Sequence, residues 1–231
     1  MRLLSWNVRD LLGDPLAVAR VIDSAAPDVV CLQEAPRWPG SRSRLAGLAR
    51  SAGLLFVDGG RSAAGCALLV AMRVDVLEVS ARRLPVQGWR TRPRGWVLAR
   101  LRLPGEPTLL VADVHLGLTA GERARHVGLI LDGLESRAQD GEGIVVAGDL
   151  NETPGSPSWI ALERQVQDRT PGAGPTFPVG RPDRRIDAVL AGPPSSPLPV
   201  ELVPDDVWSP DPRDLVLASD HRPVLVDVGP R

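Results

Sequence analysis

The sequence contains neither tyrosine nor lysine, and all 27 of its basic residues are arginine. Codon bias in a GC-rich genome explains the missing lysine, although single arginines remain candidates for binding phosphate, because a guanidinium group matches two phosphate oxygens at once. The formal net charge is -1, so the chain lacks the basic excess that marks proteins which hold long stretches of nucleic acid by charge. Nucleic acid is not excluded as a substrate, since an enzyme that releases its product needs only a local positive rim.

Cysteine and long apolar runs are also scarce. Cys31 and Cys66 each lie within an apolar segment, so we predict two buried thiols without a disulfide, which fits a reducing compartment. No apolar run approaches the ~18 residues of a membrane span. The chain starts with a strand pattern rather than a basic and apolar signal region. We therefore expect a cytoplasmic protein with no membrane span.

The pattern of apolar residues predicts one α/β domain over residues 1–231. Apolar, β-branched runs between turn residues predict strands at 3–6, 29–32, 66–72, 97–103, 109–114, 144–147, 186–190 and 224–228. Helices are predicted at 14–26, after the capping-box pair Thr119 and Glu122, and after Ser156. Segments 171–185 and 192–213 are rich in Pro, Gly and Asp and are predicted as surface loops near the site.

Strands occur in consecutive groups as well as in alternation with helices. This arrangement favours two packed sheets over a single doubly wound sheet. The predicted fold is a four-layer α/β sandwich, in which two mostly antiparallel sheets pack face to face with helices outside.

Polar residues interrupt or follow the apolar runs at the strand ends. Each one alone is most simply a turn former, and His126, inside a predicted helix, is expected to be a surface or packing residue. Together they form an inventory of acids, amides and imidazoles that can converge on one rim of a sandwich, which is typical of a catalytic site. These residues are Asn7, Glu34, His115, Asp149, Asn151, Asp187, Asp220 and His221.

The motifs that carry these residues resemble a known family when taken in order. SWNV, LQE, DVHLG, GDLNETP, RRIDAVLA and SDHRPV are similar to motifs of the endonuclease/exonuclease/phosphatase superfamily. This superfamily includes deoxyribonuclease I, abasic endonucleases, inositol polyphosphate 5-phosphatases, sphingomyelinases and deadenylases. The resemblance runs from residue 5 to residue 223 and implies a metal-dependent phosphoesterase.

The resemblance also implies a role for each residue. Glu34 is the principal ligand of Mg²⁺ or Mn²⁺, with Asn7 and Asp220 completing or supporting the shell. Asp149 orients or deprotonates the attacking water, and Asn151 donates to the phosphoryl oxygens.

The two histidine positions complete the implied machinery. His221 contacts the scissile phosphate, with Asp187 holding its ring and raising its pKa. His115 gives a second phosphate contact or acts as the acid at the leaving group.

Two arginines near the site motifs, Arg94 and Arg9, could either bind substrate phosphate or have no contact with the substrate. Arg94 either binds substrate phosphate or lies in a solvated loop, and the neighbouring Trp89 and Trp96 either stack on substrate or fill the core. Arg9 stands where the abasic-endonuclease branch has an acid, and Asp10 follows one position later, where strand alternation would turn it away. We therefore expect one tightly bound metal, with Arg9 either binding phosphate or facing away from the site.

The substrate is left open between several classes. The main hypothesis is hydrolysis of a phosphodiester in nucleic acid or a nucleotide-like molecule by a monomer. The alternatives are a phosphomonoesterase, a phosphohydrolase of lipid headgroups or inositol phosphates, and a catalytically silent binding module. The short chain lacks the aromatic-rich insertions with which many nucleases hold DNA.

Overall fold

The computed structural model describes residues 1–88, 91–192 and 198–229, which form two sheets flanked by helices. The first strands and helices are β1 (Arg2–Asn7), α1 (Pro15–Ala25), β2 (Val29–Gln33), α2 (Ser41–Ser51), β3 (Leu55–Gly59), β4 (Ala67–Val70), β5 (Asp75–Leu84) and β6 (Arg94–Arg102). The rest are β7 (Leu109–His115), α3 (Ala120–Glu135), β8 (Gly143–Asp149), α4 (Pro157–Leu162), β9 (Gln167–Asp168), β10 (Asp187–Gly192), β11 (Val200–Leu202), α5 (Pro212–Ala218) and β12 (Val224–Val228). A one-turn segment, Arg9–Leu11, follows β1.

Each sheet has six strands and one parallel pair near its centre. The first sheet has the order β11-β12-β1-β2-β4-β3, and the second has the order β5-β6-β7-β8-β10-β9. Only β1 with β2 and β7 with β8 pair in parallel, among the strands of the described ranges. Because parallel neighbours end at the same sheet edge, residues that follow β1 and β2, or β7 and β8, come close together.

Three apolar clusters give the sandwich its layers. The central cluster lies between the sheets and includes Val29, Leu68, Val111 and Val145. A second cluster packs α1, α2 and α5 on the outer face of the first sheet. The third packs α3 and α4 on the outer face of the second sheet. The predicted four-layer α/β sandwich with helices outside is confirmed.

Several elements were not predicted from the sequence. The long edge strand β5 has mostly exposed side chains, and α2 has few apolar residues, so neither produces an apolar run. The predicted loop over 192–213 is wrong in part, because it contains β11 and the first two residues of α5, while 193–197 lie outside the described residues. In the part of the chain that the structure describes, no helix is both long and apolar enough to cross a membrane.

Candidate active site at the ends of both sheets

The polar residues predicted at strand ends lie at one edge of the sandwich, and each sheet carries part of them. In the second sheet, register pairs His115 with Gly95 and with Asp149, and pairs Asp149 with Asp187. In the first sheet, Asn7 at the end of β1 lies beside the end of β2. Side chains then cross between the sheets, so the site exists only where the two edges meet.

Asp149 is the centre of these crossing contacts. Its Oδ2 accepts a hydrogen bond from Asn7 Nδ2 at 3.0 Å and lies 3.3 Å from His115 Nε2 and 4.0 Å from His221 Nε2. Its Oδ1 accepts from the backbone N–H of Asn151 at 2.9 Å. Burial alone would raise the pKa of Asp149, but His115, His221 and the N–H of Asn151 outweigh burial and hold the pKa below its usual range.

Asp187 and His221 form a buried pair beside Asp149. The Asp187 carboxylate lies 3.0 and 3.2 Å from His221 Nδ1. Burial works against both charges and raises the pKa of Asp187. Burial would also lower the pKa of His221, but Asp187, followed by Asp149 and Asp220, raises it to about 9. His221 is therefore an imidazolium at neutral pH, with Nδ1 directed to Asp187.

Local backbone geometry explains the GDLN motif after β8. Gly148 has φ +152°, and a Cβ there would lie 1.9 Å from the carbonyl oxygen of Val114, so only glycine fits this position. Asn151 adopts the left-handed region at φ 51°, which asparagine tolerates better than most residues. Its Nδ2 donates to the carbonyl oxygen of Leu116 at 3.0 Å, so one of its two amide hydrogens is already used.

Arg94 is a buried residue of β6 and not part of a solvated loop. Its side chain is 4% exposed, and Nη1 lies 4.0 Å from Glu34 Oε1. Its Nε donates to the carbonyl oxygen of Leu116 at 2.9 Å, which fixes it beside Asn151. Burial lowers the pKa of Arg94, although Glu34 and Asp149 oppose this effect. The neighbouring Trp96 fills the core, while Trp89 lies outside the described residues.

A second acid accompanies Glu34. Asp10 is buried, and its backbone N–H donates to the carbonyl oxygen of Glu34 at 2.5 Å. Arg37 Nη2 lies 3.2 Å from Asp10 Oδ2. Arg92 Nη1 lies 3.2 Å from Glu34 Oε2 and 3.9 Å from Asp10 Oδ2. A guanidinium group therefore lies close to both carboxylates. Burial raises the pKa of Asp10, Glu34 adds to the effect, and the arginines oppose it.

The turn after β1 explains why strand alternation does not apply to Asp10. Arg9, Asp10 and Leu11 all have positive φ, between 48° and 55°, a conformation that costs roughly 1–2 kcal/mol per L-residue. The turn brings Asp10 to Glu34 and directs Arg9 toward Asp220, with Nε 3.8 Å from Oδ2. Arg9 is 55% exposed, so it forms part of the rim.

A buried hydrogen-bonded bridge joins the two sheets beneath the site. Gln33 of β2 donates from Nε2 to Asp113 Oδ1 of β7 at 2.6 Å, and the backbone N–H of Ala67 donates to Asp113 Oδ2 at 2.9 Å. Gln33 precedes Glu34, and Asp113 lies two positions before His115. Burial raises the pKa of Asp113 well above its usual range, despite both hydrogen bonds.

The sequence matches the model of the Endonuclease/Exonuclease/phosphatase family over residues 4–221. The chain belongs to this family. No curated protein matches the sequence. Members of the family are typically phosphoesterases, and they include phosphodiesterases and phosphatases.

Solved structures of the endonuclease/exonuclease/phosphatase fold are similar to the chain at low identity. The family member from Bacteroides vulgatus has a TM-score of 0.77 and 20% identity, with 100% of this chain and 98% of that chain covered. A mannosyl-6-phosphatase from Bacteroides thetaiotaomicron VPI-5482 has a TM-score of 0.74 and 17% identity, covering 99% of each chain. TDP2 from Caenorhabditis elegans has a TM-score of 0.70 and 18% identity, covering 100% of this chain and 74% of that chain. These likenesses show the fold.

Two groups of residues have the composition of a metal site for a member of this family. Glu34 and Asp10 offer carboxylate oxygens, the ligands that Mg²⁺ and Mn²⁺ prefer, and the buried Asp10 Oδ1 has no hydrogen-bond partner. The ligand atoms of Asp149, Asp187 and His221 lie within 4.8 Å of one another. Arginines hold one oxygen of each acid in the first group, but its Asp10 Oδ1 is left over, whereas a protonated His221 has no lone pair to offer a metal. The first group therefore fits a divalent cation better.

The other predicted residues take places that the motifs alone do not reveal. Asn7 Oδ1 accepts from the backbone N–H of Arg9 at 3.1 Å, so both ends of its amide are used. Asp220 lies near Arg9 at the rim. His126 is a packing residue, because its buried ring accepts from the N–H of Gly117 and faces the carbonyl oxygen of Pro85. Arg37 was missed, although it lies only three positions after Glu34.

Proposed function

We propose that the protein hydrolyses a phosphodiester by in-line attack of water, with the help of Mg²⁺ or Mn²⁺. The observation that carries the proposal is the Asp149 carboxylate, held between Asn7, His115 and His221 at the junction of the sheets. A buried ionised acid surrounded by donors is suited to orienting a nucleophile beside a positively charged phosphate site.

We assign Asp149 to orienting the attacking water, whose proton passes through this carboxylate to the departing oxygen as the bond between phosphorus and that oxygen breaks, so that Asp149 does not keep the proton. A general base works best when its pKa is near the working pH, and the pKa of Asp149 lies below its usual range. Its oxygen can hold a water hydrogen and direct the oxygen toward phosphorus. His115, which faces the same carboxylate oxygen at 3.3 Å, keeps Asp149 ionised.

Positive charge for the phosphoryl oxygens comes from two buried side chains. His221 holds a proton at Nδ1 toward Asp187, so its Nε2–H is free to donate to a phosphoryl oxygen as negative charge develops. Arg94 is fixed by Leu116 and supplies a further cation. Donors fixed before the reaction stabilise the transition state without having to reorganise.

The divalent cation is proposed to bind at Glu34 and Asp10. Bound there, it would supply further positive charge to the non-bridging oxygens. Asn7 acts through Asp149 in this assignment, because its own amide oxygen is bonded to Arg9. Asp220 and Arg9 complete the rim.

The test measures hydrolysis of bis-p-nitrophenyl phosphate, p-nitrophenyl phosphate, plasmid DNA, single-stranded oligonucleotides and sugar or inositol phosphates with Mg²⁺ or Mn²⁺. We expect diester hydrolysis that a chelator abolishes and that Asp149→Asn reduces. The exposed Asp23→Asn is the control. Hydrolysis of monoesters only would replace the proposal with a phosphatase, and metal binding without any hydrolysis would indicate a silent binding module.

A further inference from the structure

A cavity lined by arginines lies beside the loop that leads from β3 to β4. The cavity has a volume of about 400 Å³ and is lined by Arg42, Gly59, Arg61, Ser62 and Arg83. No carboxylate belongs to this lining, although the chain as a whole has a net charge of -1. The surface is therefore locally cationic, which is the electrostatic character expected of a site for anions.

Few carboxylates neutralise the guanidinium groups around the cavity. Arg83 donates from Nε and Nη2 to the carbonyl oxygen of Arg61 at 3.1 and 2.9 Å. Arg42 stacks 5.2 Å from the Phe56 ring centroid and pairs with Asp58 at 3.0 Å. Within the described ranges, no ion pair neutralises Arg61 or Arg83. Two of the three cations are therefore available to a ligand.

The loop that forms the cavity also reaches the metal-site residue Glu34. The backbone N–H of Ala35 donates to the carbonyl oxygen of Gly65 at 2.7 Å, and Gly65 N–H donates to Gly60 at 2.8 Å. A Cβ built on Gly65 would lie 3.5 Å from Glu34 Cα. Gly65 is four residues after Arg61, and four residues span at most ~14 Å when extended. The backbone of Arg61 at the cavity therefore lies within ~14 Å of Gly65, which is beside Glu34.

We propose that this arginine cavity binds a second phosphate of the same substrate, away from the phosphate that is cleaved. The inference rests on the proposed function, because the second phosphate would belong to a phosphoester whose cleaved phosphate is bound beside Glu34. It narrows the substrate class to molecules with at least two phosphates. Two sources share this chemistry: a short single-stranded oligonucleotide and a small sugar or inositol bisphosphate.

The first test measures binding without turnover. A fluorescent single-stranded oligonucleotide is titrated in EDTA, and inositol bisphosphate is used as a competitor. We expect the double variant Arg61→Ala/Arg83→Ala to weaken oligonucleotide binding about tenfold and to lower the salt slope of log K by roughly 0.7, since each phosphate neutralised on a single strand contributes about 0.7. Arg61→Lys/Arg83→Lys should recover most of the affinity and the slope.

The matched control is Arg44→Ala/Arg50→Ala, which removes the same charge from exposed positions of α2 outside the cavity. If the bisphosphate displaces the oligonucleotide from the wild type but not from the Arg61/Arg83 double variant, the cavity also binds the small bisphosphate. If both double alanine variants lose equal affinity, or if neither loses any, the proposed subsite is wrong.

The second test separates this inference from the proposed function. Bis-p-nitrophenyl phosphate has one phosphate, so the Arg61/Arg83 double variant should hydrolyse it with unchanged kcat and KM, while the KM for an oligonucleotide rises. Normal diester hydrolysis with an unchanged oligonucleotide KM would refute only the subsite. Failure of the wild type to hydrolyse any diester would refute the proposed function, and the binding titration would still decide whether the cavity takes phosphate.

Discussion

The pair of Asp187 and His221 gives the sharpest prediction for the pH dependence of activity. Asp187 is the largest influence that raises the pKa of His221 to about 9, while burial opposes it. Asp187→Asn removes this charge and leaves the burial, while Asp149 and Asp220 still favour the charged ring, so the pKa of His221 should fall from about 9 toward its unperturbed value of about 6.5. A complete fall to that value would correspond to ~3 kcal/mol. A larger fraction of the rings would then be neutral at pH 7.5.

The assay is the pH profile of kcat on a diester, together with NMR titration of the histidine rings. The wild type should lose activity as the pH rises through about 9, because His221 loses its proton there. In Asp187→Asn this loss should occur at a lower pH, between about 6.5 and about 9. The control is Asp183→Asn, whose carboxylate is 71% exposed in the loop before β10. An unchanged alkaline limb in Asp187→Asn would refute the assignment of a charged His221.

The same pair predicts how folding stability changes with pH. Because the folded-state pKa of His221 is raised, its contribution is complete below about pH 6.5 and is lost as the pH rises through about 9. The full ~3 kcal/mol would correspond to roughly 6–12 °C in Tm for a chain of this size. The Tm difference between wild type and Asp187→Asn should therefore shrink from pH 6.5 to pH 9, and a constant difference would contradict the linkage.

Four further predictions concern the metal site, the residue that orients the attacking water, the rim, and the hydrogen-bonded bridge between the sheets. Glu34→Gln should weaken Mn²⁺ binding in calorimetry much more than it changes Tm, and full activity of the stripped wild type in excess EDTA would end the metal assignment. Asp149→Asn should lower kcat by ~10²-fold or more with the protein still folded, and near-normal turnover would remove it from the mechanism. Arg9→Ala should raise KM if the side chain binds phosphate, while unchanged kinetics would show that Arg9 only forms part of the rim. Two Mn²⁺ ions within ~4 Å of each other in a soaked crystal would refute the expectation of one metal. Asp113→Ala should cost ~1–3 kcal/mol by leaving the buried backbone N–H of Ala67 unpaired, since Gln33 Nε2 keeps Ser5 Oγ and the carbonyl oxygen of Cys31 as acceptors, and a wild-type-like urea midpoint would show that the bridge is dispensable.

The sequence predicted those strands whose side chains are buried on both faces of a sheet. The strands buried on both faces, such as β7 and β8, produce continuous apolar runs that need no tertiary information to find. The edge strand β5 has no such run, because most of its side chains face solvent. Its position is set by pairing with β6 along its length, which the residues of β5 do not encode by themselves.

The site could be predicted only as far as strand alternation applies. Polar residues at the ends of buried strands, such as His115 and Asp149, lie at the common edge as expected. Asp10 could not be placed, because three consecutive left-handed residues replace the strand geometry that the prediction assumed. Arg37 could not be distinguished from the other arginines of the sequence, since its proximity to Asp10 depends on how the segments after β1 and β2 meet.

The division of the site between two sheets has a consequence for folding. Asn7 and His221 belong to the ends of the first sheet, while His115, Asp149 and Asp187 belong to the second. Only the docking of the two sheets over their shared core brings Asp149 to Asn7. Recovery of activity during refolding therefore reports that the central core has closed.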